Sequence, residues 1–119
     1  MASRDKIIAK AEKLVSKGKI EDAIQEYERL LKDSPNDVNT LNRIGDLWVR
    51  INRPSEAVGV FTQIADHYSR DGFFLKAIAI YKKINKLDPS RLEIYEKLAE
   101  LYAKQGLAME AKTQYLVLA

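Results

Sequence analysis

The residues whose types could support chemistry are few, and the clearest group is acidic. Glu93, Glu96 and Glu100 recur at spacings of three and four residues, which places them on one side of a helix. Carboxylates held together in this way can act as general acids and bases inside a cleft. Every loop inferred around them is short, so there is little chain to form an active site or a lid. A solvated helix surface is the simpler interpretation.

Histidine and cysteine would offer metal binding or nucleophilic catalysis. The sequence has one histidine, His67, and no cysteine. A metal site needs several ligands within reach, and a nucleophilic thiol is excluded. No glycine-rich phosphate loop and no nucleophile elbow is present. We therefore predict that the chain is not an enzyme and that it has no catalytic residues, no cofactor and no metal site.

The remaining pattern describes helices that repeat along the chain. Four copies of a helix carry an alanine followed four residues later by an aromatic residue, and two of them are preceded by a large–large–small–large pattern. Small residues let paired helices approach, and large ones fill the grooves between them. The alanine–aromatic pairs are Ala23–Tyr27, Ala57–Phe61, Ala77–Tyr81 and Ala111–Tyr115, and the upstream patterns are Leu41-x2-Ile44-Gly45-x2-Trp48 and Tyr95-x2-Leu98-Ala99-x2-Tyr102.

These anchors, with Pro35 and Pro89 twelve residues after their alanines, resemble the tetratricopeptide repeat (TPR) family over essentially the whole chain. The resemblance implies an all-α fold, an α-solenoid of about seven antiparallel helices in a right-handed superhelix. We predict helices at 3–17, 20–33, 37–51, 54–70, 73–87, 91–104 and 108–118, with Ser90 as the cap of the sixth. They would form one repeat domain over 1–119, with pairs at 3–33, 37–70, 54–87 and 91–118.

The repeat is irregular in its middle. Ala23 to Ala57 and Ala77 to Ala111 are both 34 residues, the period of the family, but Ala57 to Ala77 is only 20. The segment 54–70 also carries the anchors of two successive helices. We therefore predict one long central helix there that is shared by two repeats. A diverged segment that is broken near Asp66 is the alternative.

The resemblance implies a function as a scaffold or adaptor that binds a peptide or protein in a concave groove. An acid recurs at one groove position as Glu12, Asp46, Asp66 and Glu100, so we expect a ligand that carries Lys or Arg. These acids could instead pair with neighbouring Arg and Lys and face water. By motif register, the groove residues are Asn39, Asn42, Arg43, Asp46 and Arg50 on the third helix and Glu93, Glu96, Lys97 and Glu100 on the sixth.

Apolar residues suggest further contacts. Phe73 and Phe74 are adjacent, so both cannot face one core, and Leu116 and Leu118 lie in an apolar C-terminal segment. We expect either that the chain is a fragment of a larger, bacterial-type TPR protein or that this segment mediates homo-oligomerisation.

The net charge and the leading segment bear on the environment. The net charge of +3 is spread among 20 basic and 17 acidic residues, which disfavours nucleic-acid binding. No apolar run is long enough for membrane insertion, and the leading segment lacks an apolar signal core, so we expect a cytoplasmic protein.

Overall fold

The computed structural model describes residues 3–118, which contain seven α-helices and no strand. Every helix agrees with its predicted bounds to within two residues, and the all-α prediction is confirmed. The helices are α1 (Arg4–Ser16), α2 (Ile20–Leu31), α3 (Val38–Arg50), α4 (Pro54–Arg70), α5 (Phe74–Leu87), α6 (Leu92–Lys104) and α7 (Ala108–Leu118).

The described residues divide into two compact units, the first ending at Val60 and the second starting at Phe61. In the first unit α2 packs against both α1 and α3, and in the second unit α6 packs against both α5 and α7. The division falls within α4, whose 17 residues form one uninterrupted helix. The predicted long helix at 54–70 is therefore confirmed.

The second unit repeats the helix order of the first at an offset of 54 residues. Helices α2 and α5 begin at residues 20 and 74, α3 and α6 at residues 38 and 92, and α4 and α7 at residues 54 and 108. Helices α1 and α4 end at residues 16 and 70, which have the same offset. The spacings of 34 and 20 between anchor alanines are thus the two parts of one larger repeat.

Four turns between helices share one backbone conformation, in which a residue with positive φ follows the end of a helix. Gly18, Gly72 and Gly106 have φ values of 76°, 82° and 72°, and Asn52 has 59°. In each turn the amide of the next residue donates to a carbonyl five residues earlier, at 2.8 to 2.9 Å. This hydrogen bond satisfies a carbonyl that the helix leaves unpaired. Three of the four residues are glycine, which adopts positive φ without steric cost, and Asn52 is the exception.

The repeat anchors form the core of each unit. Ala23 and Ala77 are completely buried, as is Ala57, and Ala111 is 5% exposed. Their small side chains let a neighbouring helix approach closely, while the large anchors fill the space around them. The core of the first unit includes Ile24, Tyr27, Ile44 and Leu47, and that of the second includes Phe61, Ile64, Tyr81, Ile84 and Leu98.

The predicted cap of α6 is wrong. The residue before the helix is Arg91, which makes no side-chain cap hydrogen bond. Ser90 instead donates from its backbone N–H and its hydroxyl to Oδ1 of Asp88, at 3.2 and 2.6 Å. The serine therefore closes the preceding turn, and the helix begins at Leu92, one residue later than expected. In α3 the corresponding position is held by Asp37, whose Oδ1 accepts from the amide of Thr40 at 3.4 Å.

Candidate functional site

The predicted groove residues lie in two different units, so each set is described by itself. Both sets lie on the third helix of their unit, α3 or α6, and most of the side chains are exposed. Asn42 and Lys97 are partly buried. The first unit carries Asn39, Asn42, Arg43, Asp46 and Arg50, and the second carries Glu93, Glu96, Lys97 and Glu100.

Helices α4, α5 and α6 of the second unit enclose an open cleft of about 440 Å³. All four residues predicted on α6 line this cleft. Charged side chains of both signs surround it, with the hydroxyl of Tyr81 between them. The acids are Asp66, Glu93, Glu96 and Glu100, and the bases are Arg70, Lys97 and Lys104.

A polar network joins the three helices beside this cleft. Nζ of Lys97 lies 3.0 Å from Oδ1 of Asp66, and the hydroxyl of Tyr81 donates to the same oxygen. Nζ of Lys97 also lies 3.5 Å from the hydroxyl oxygen of Tyr81. Burial raises the pKa of Tyr81, and its hydrogen bond to Asp66 raises it further, so the hydroxyl remains a proton donor. The carboxylate of Asp66 is therefore already occupied by groups of its own unit.

Two other carboxylates of the cleft have no cation of their own. Within residues 3–118, Glu96 and Glu100 have no Lys or Arg nitrogen within 4.0 Å. Glu93 has a distant one, since Nη1 of Arg91 lies 3.8 Å from its Oε1. Glu96 and Glu100 are separated by four residues on one helix, so they lie on the same side. Together with Lys104, which follows after four more residues, they line one side of the cleft.

The first unit carries a related arrangement at the same 54-residue offset. Nε of Arg43 on α3 donates to the hydroxyl of Tyr27 on α2 at 3.4 Å. This hydrogen bond raises the pKa of Arg43 against the effect of burial, and the carboxylates of Glu12 and Asp46 raise it further. Tyr27, Arg43, Glu12 and Asp46 thus correspond to Tyr81, Lys97, Asp66 and Glu100 of the second unit.

As repeat anchors, Tyr27 and Tyr81 are expected from the sequence to serve only the core. Tyr27 and Tyr81 are indeed buried, with 4% and 2% of their surfaces exposed, but their hydroxyls reach the charged groups. The sequence does contain a signal for these polar contacts of the tyrosine hydroxyls. In each unit a basic residue follows the tyrosine by 16 residues, as Arg43 and Lys97 do.

The structure also places the predicted apolar contacts. Phe73 is 52% exposed, while Phe74 is partly buried beneath Lys104, whose Nζ lies 5.1 Å from the ring centroid. Leu116 is 66% exposed and Leu118 is partly buried. Their participation in binding remains a prediction.

The single histidine lies in α4 and contacts an acid of the following turn. Nε2 of His67 is 3.4 Å from Oδ2 of Asp71. Among residues 3–118 no three side chains of His, Asp or Glu are grouped closely enough to hold a metal ion. None of the helices in this part of the chain combines the length and the apolar character that crossing a membrane requires.

The duplicated helices and their common turns define a helical repeat protein. Residues 11–50 match the family model described as TPR repeat, so the chain carries a tetratricopeptide repeat and the predicted resemblance is confirmed there. Solved structures of MamA are similar. The one titled "MamA 41-end from Desulfovibrio magneticus RS-1" has 17% identity and a TM-score of 0.50, over 96% of this chain and 72% of that chain. A second MamA crystal structure has 23% identity and a TM-score of 0.45, over 88% and 70%. No curated protein matches the sequence significantly.

Proposed function

We propose that this chain is a protein-interaction scaffold and that the cleft of its second unit binds a peptide segment of a partner protein. The tetratricopeptide match supports the scaffold role in general. One observation carries the proposal for the cleft. Glu96 and Glu100 line a cleft of about 440 Å³ and have no cation of their own among the described residues.

The charges of the cleft indicate which ligand fits. Lys97 already neutralises Asp66, and the hydroxyl of Tyr81 fixes the orientation of that pair. Glu96 and Glu100, which have no cation within 4.0 Å among the described residues, favour a Lys or Arg side chain of the ligand. In the first unit Asn42 supports a second contact, since an amide can both donate to and accept from a peptide backbone.

The first experiment identifies the partner by affinity capture from the source cell, followed by mapping of the captured segment as synthetic peptides. We then expect Glu96→Lys/Glu100→Lys to weaken peptide binding by about tenfold or more in fluorescence anisotropy. Glu28→Lys/Glu110→Lys is the matched control, because it changes the net charge equally at exposed positions outside the cleft. Equal affinity of both variants and the unaltered protein would exclude the cleft as the binding site.

The first unit is tested separately. Asn42→Ala/Asp46→Lys changes the two α3 positions with the clearest predicted role. We expect reduced capture of the same partner. If capture is unchanged, the assignment of Asn39, Asn42, Arg43, Asp46 and Arg50 as contact residues is wrong.

Self-association through α7 is the second candidate function. Leu116, Val117 and Tyr115 expose 66%, 50% and 49% of their surfaces, beside a cavity of about 560 Å³ formed with the end of α6. Light scattering after size exclusion, on the unaltered chain and on Leu116→Glu/Leu118→Glu, tests it. A monomer at all concentrations before mutation rules this candidate out, whereas a dimer that the variant loses supports it.

A further inference from the structure

Helix α5 has a charge pattern unlike the rest of the chain. It carries four lysines and no acidic residue between Phe74 and Leu87. Helix α2, which takes the equivalent place in the first unit, carries four acids and one base. Equivalent helices of the two units therefore carry opposite net charges.

The exposed side of α5 forms a basic strip, defined by Leu75, Lys76, Ala79, Lys82 and Lys86, all of which are exposed. Successive residues of a helix are rotated by about 100°, which places these five within about 120° of one another. The core residues of α5, including Ala77, Tyr81 and Ile84, lie on the other side. The lysines of the strip span about 15 Å along the helix axis.

The cations of the strip are not neutralised within the described part of the chain. Between residues 3 and 118 no carboxylate oxygen lies within 4.0 Å of Lys76, Lys82 or Lys86. Nζ of Lys76 lies 5.3 Å from the ring centroid of Phe73 and 5.6 Å from that of Tyr68, so this lysine borders the aromatic end of the strip. The fourth lysine of α5, Lys83, has its Nζ 4.3 Å from the ring centroid of Phe61 and makes other contacts, so we do not count it in the strip. Uncompensated charges on one surface favour a ligand of opposite sign.

An apolar cleft adjoins the N-terminal end of the strip. Phe73 and Leu75 expose 52% and 65% of their surfaces and border a cleft of about 290 Å³. The equivalent positions of the first unit are Lys19 and Glu21, and Glu21 pairs with Arg53 at 3.6 Å. A polar turn in one copy is thus an exposed apolar turn in the other. An apolar centre beside charged side chains is typical of protein-binding surfaces.

We propose that the basic strip and the cleft beside Phe73 form a docking surface for an acidic segment of a partner protein. The segment places one apolar side chain in the cleft and Asp or Glu residues along the strip. This surface shares no residue with the cleft lined by Glu96 and Glu100 and selects the opposite charge. It therefore goes beyond the proposed function and is independent of it.

Other acidic ligands fit this surface less well. A helix that lies in a bilayer surface inserts an apolar side, but the apolar side of α5 is buried in its own unit. Nucleic-acid phosphates would engage the lysines and leave the apolar cleft unused. A second copy of the chain could offer acids only beside bases, since α2 also carries the exposed Arg29. Glu96 and Glu100 share their cleft with Arg70 and Lys104.

The test uses the full chain and a fluorescent helical peptide of about ten residues, which matches the length of the strip. The peptide carries one Leu followed by Glu at helical spacing, and a second peptide has Gln in place of Glu. We expect the acidic peptide to bind, with an affinity that falls as salt rises, and the Gln peptide to bind at least about tenfold more weakly. Equal binding of the two peptides, or no binding of either, overturns the proposal.

Variants locate the binding on α5. Lys82→Glu/Lys86→Glu is expected to weaken acidic-peptide binding by about tenfold or more, and Phe73→Ser/Leu75→Ser to weaken it through the cleft. Lys13→Glu/Lys17→Glu alters net charge equally at exposed positions of the first unit and should change affinity by less than about twofold. Circular dichroism confirms that each variant is folded. An equal effect of the control overturns the assignment to α5.

Three further measurements separate the alternative ligands. Glu96→Lys/Glu100→Lys should not weaken acidic-peptide binding, which keeps this proposal distinguishable from the proposed function. Phosphatidylserine vesicles and a short DNA duplex are titrated under the same conditions. If either binds more tightly than the acidic peptide and loses affinity on Lys82→Glu/Lys86→Glu, the surface belongs to that ligand and our proposal is wrong. A salt-sensitive dimer that the same variant abolishes would likewise assign the surface to a second copy.

Discussion

Nζ of Lys97 on α6 lies 3.0 Å from Oδ1 of Asp66 on α4, although the two residues are 31 positions apart in the chain. Tyr81 of α5 donates its hydroxyl proton to the same oxygen, so one carboxylate joins three helices of the second unit. The equivalent tyrosine of the first unit, Tyr27, makes only a 3.4 Å hydrogen bond with Arg43. The hydrogen bonds of Tyr81 therefore connect the helices of the second unit more strongly than the equivalent bond of Tyr27 connects those of the first.

Removing the two tyrosine hydroxyls should reveal this difference. We expect Tyr81→Phe to lower the free energy of unfolding by about 1–2 kcal/mol, because Asp66 loses a donor at a partly buried site. Tyr27→Phe should cost less than about 0.5 kcal/mol, since its hydrogen bond is long. Urea denaturation of both variants provides the measurement. Losses of equal size would show that the two networks are equivalent after all.

A buried carboxylate of α2 makes the stability of the chain depend on pH. Glu26 is 7% exposed, and its carboxylate lies 3.0 Å from Nζ of Lys10 and from Nη1 of Arg29. The hydrogen bond from Lys10 lowers the pKa of Glu26, against the opposing effect of burial, and Arg29 lowers it further. Folding thus favours the ionised form. This stabilisation is present above the unfolded pKa of about 4.3 and is lost as the pH falls through the lower folded pKa.

Substitution of Glu26 tests that dependence. We expect Glu26→Gln to reduce the free energy of unfolding by about 1–2 kcal/mol at neutral pH. The difference from the unaltered chain should shrink as the pH is lowered below about 4. The exposed Glu28→Gln serves as control and should have little effect at any pH. A loss for Glu26→Gln that is constant with pH would contradict the role of its charge.

The turn after α3 contains an asparagine, Asn52, in the left-handed backbone conformation, which lowers the stability of the fold. Asn52 has a φ of 59°, whereas the other three turns of this kind use glycine. We expect Asn52→Gly to be neutral or to stabilise by up to about 1 kcal/mol, and Asn52→Ala to destabilise by about 1 kcal/mol. Thermal denaturation of the two variants distinguishes them. If alanine is tolerated as well as glycine, the left-handed conformation is not required at this turn.

The start of α3 depends on a side-chain cap that α6 lacks. Burial would raise the pKa of Asp37, but hydrogen bonds from Arg4 and Thr40 outweigh it and lower the pKa. We expect Asp37→Ala to lower the free energy of unfolding by about 1 kcal/mol. Ser90→Ala should have a smaller effect, because Ser90 does not cap α6. A larger loss for Ser90→Ala in urea denaturation would restore the serine as the cap.

Much of the fold could be predicted because its signals are local. The alanine–aromatic anchors repeat at helical spacing, so helix bounds and the long helix α4 followed from neighbouring residues alone. The left-handed turns at the glycines were also readable, since glycine adopts positive φ without steric cost. The turn at Asn52 could not be predicted in the same way, because asparagine adopts positive φ less often than glycine does. The prediction of Ser90 as a cap was wrong because its hydroxyl donates to Asp88, two residues earlier in the chain, and does not cap the helix amides.

By itself the sequence determined the seven helices, the long uninterrupted helix in the middle and the set of charged positions on α3 and α6. Only the tertiary structure decided which charges remain available. Asp66 and Lys97 neutralise each other, whereas Glu96 and Glu100 do not find a cation within the described chain. The physical reason is that helical periodicity depends on residues three or four apart, while an ion pair between helices depends on how those helices approach and rotate. Helical periodicity already places Lys76, Lys82 and Lys86 on one side of α5. Only the tertiary structure shows that this side is exposed and that these lysines pair with no carboxylate among the described residues.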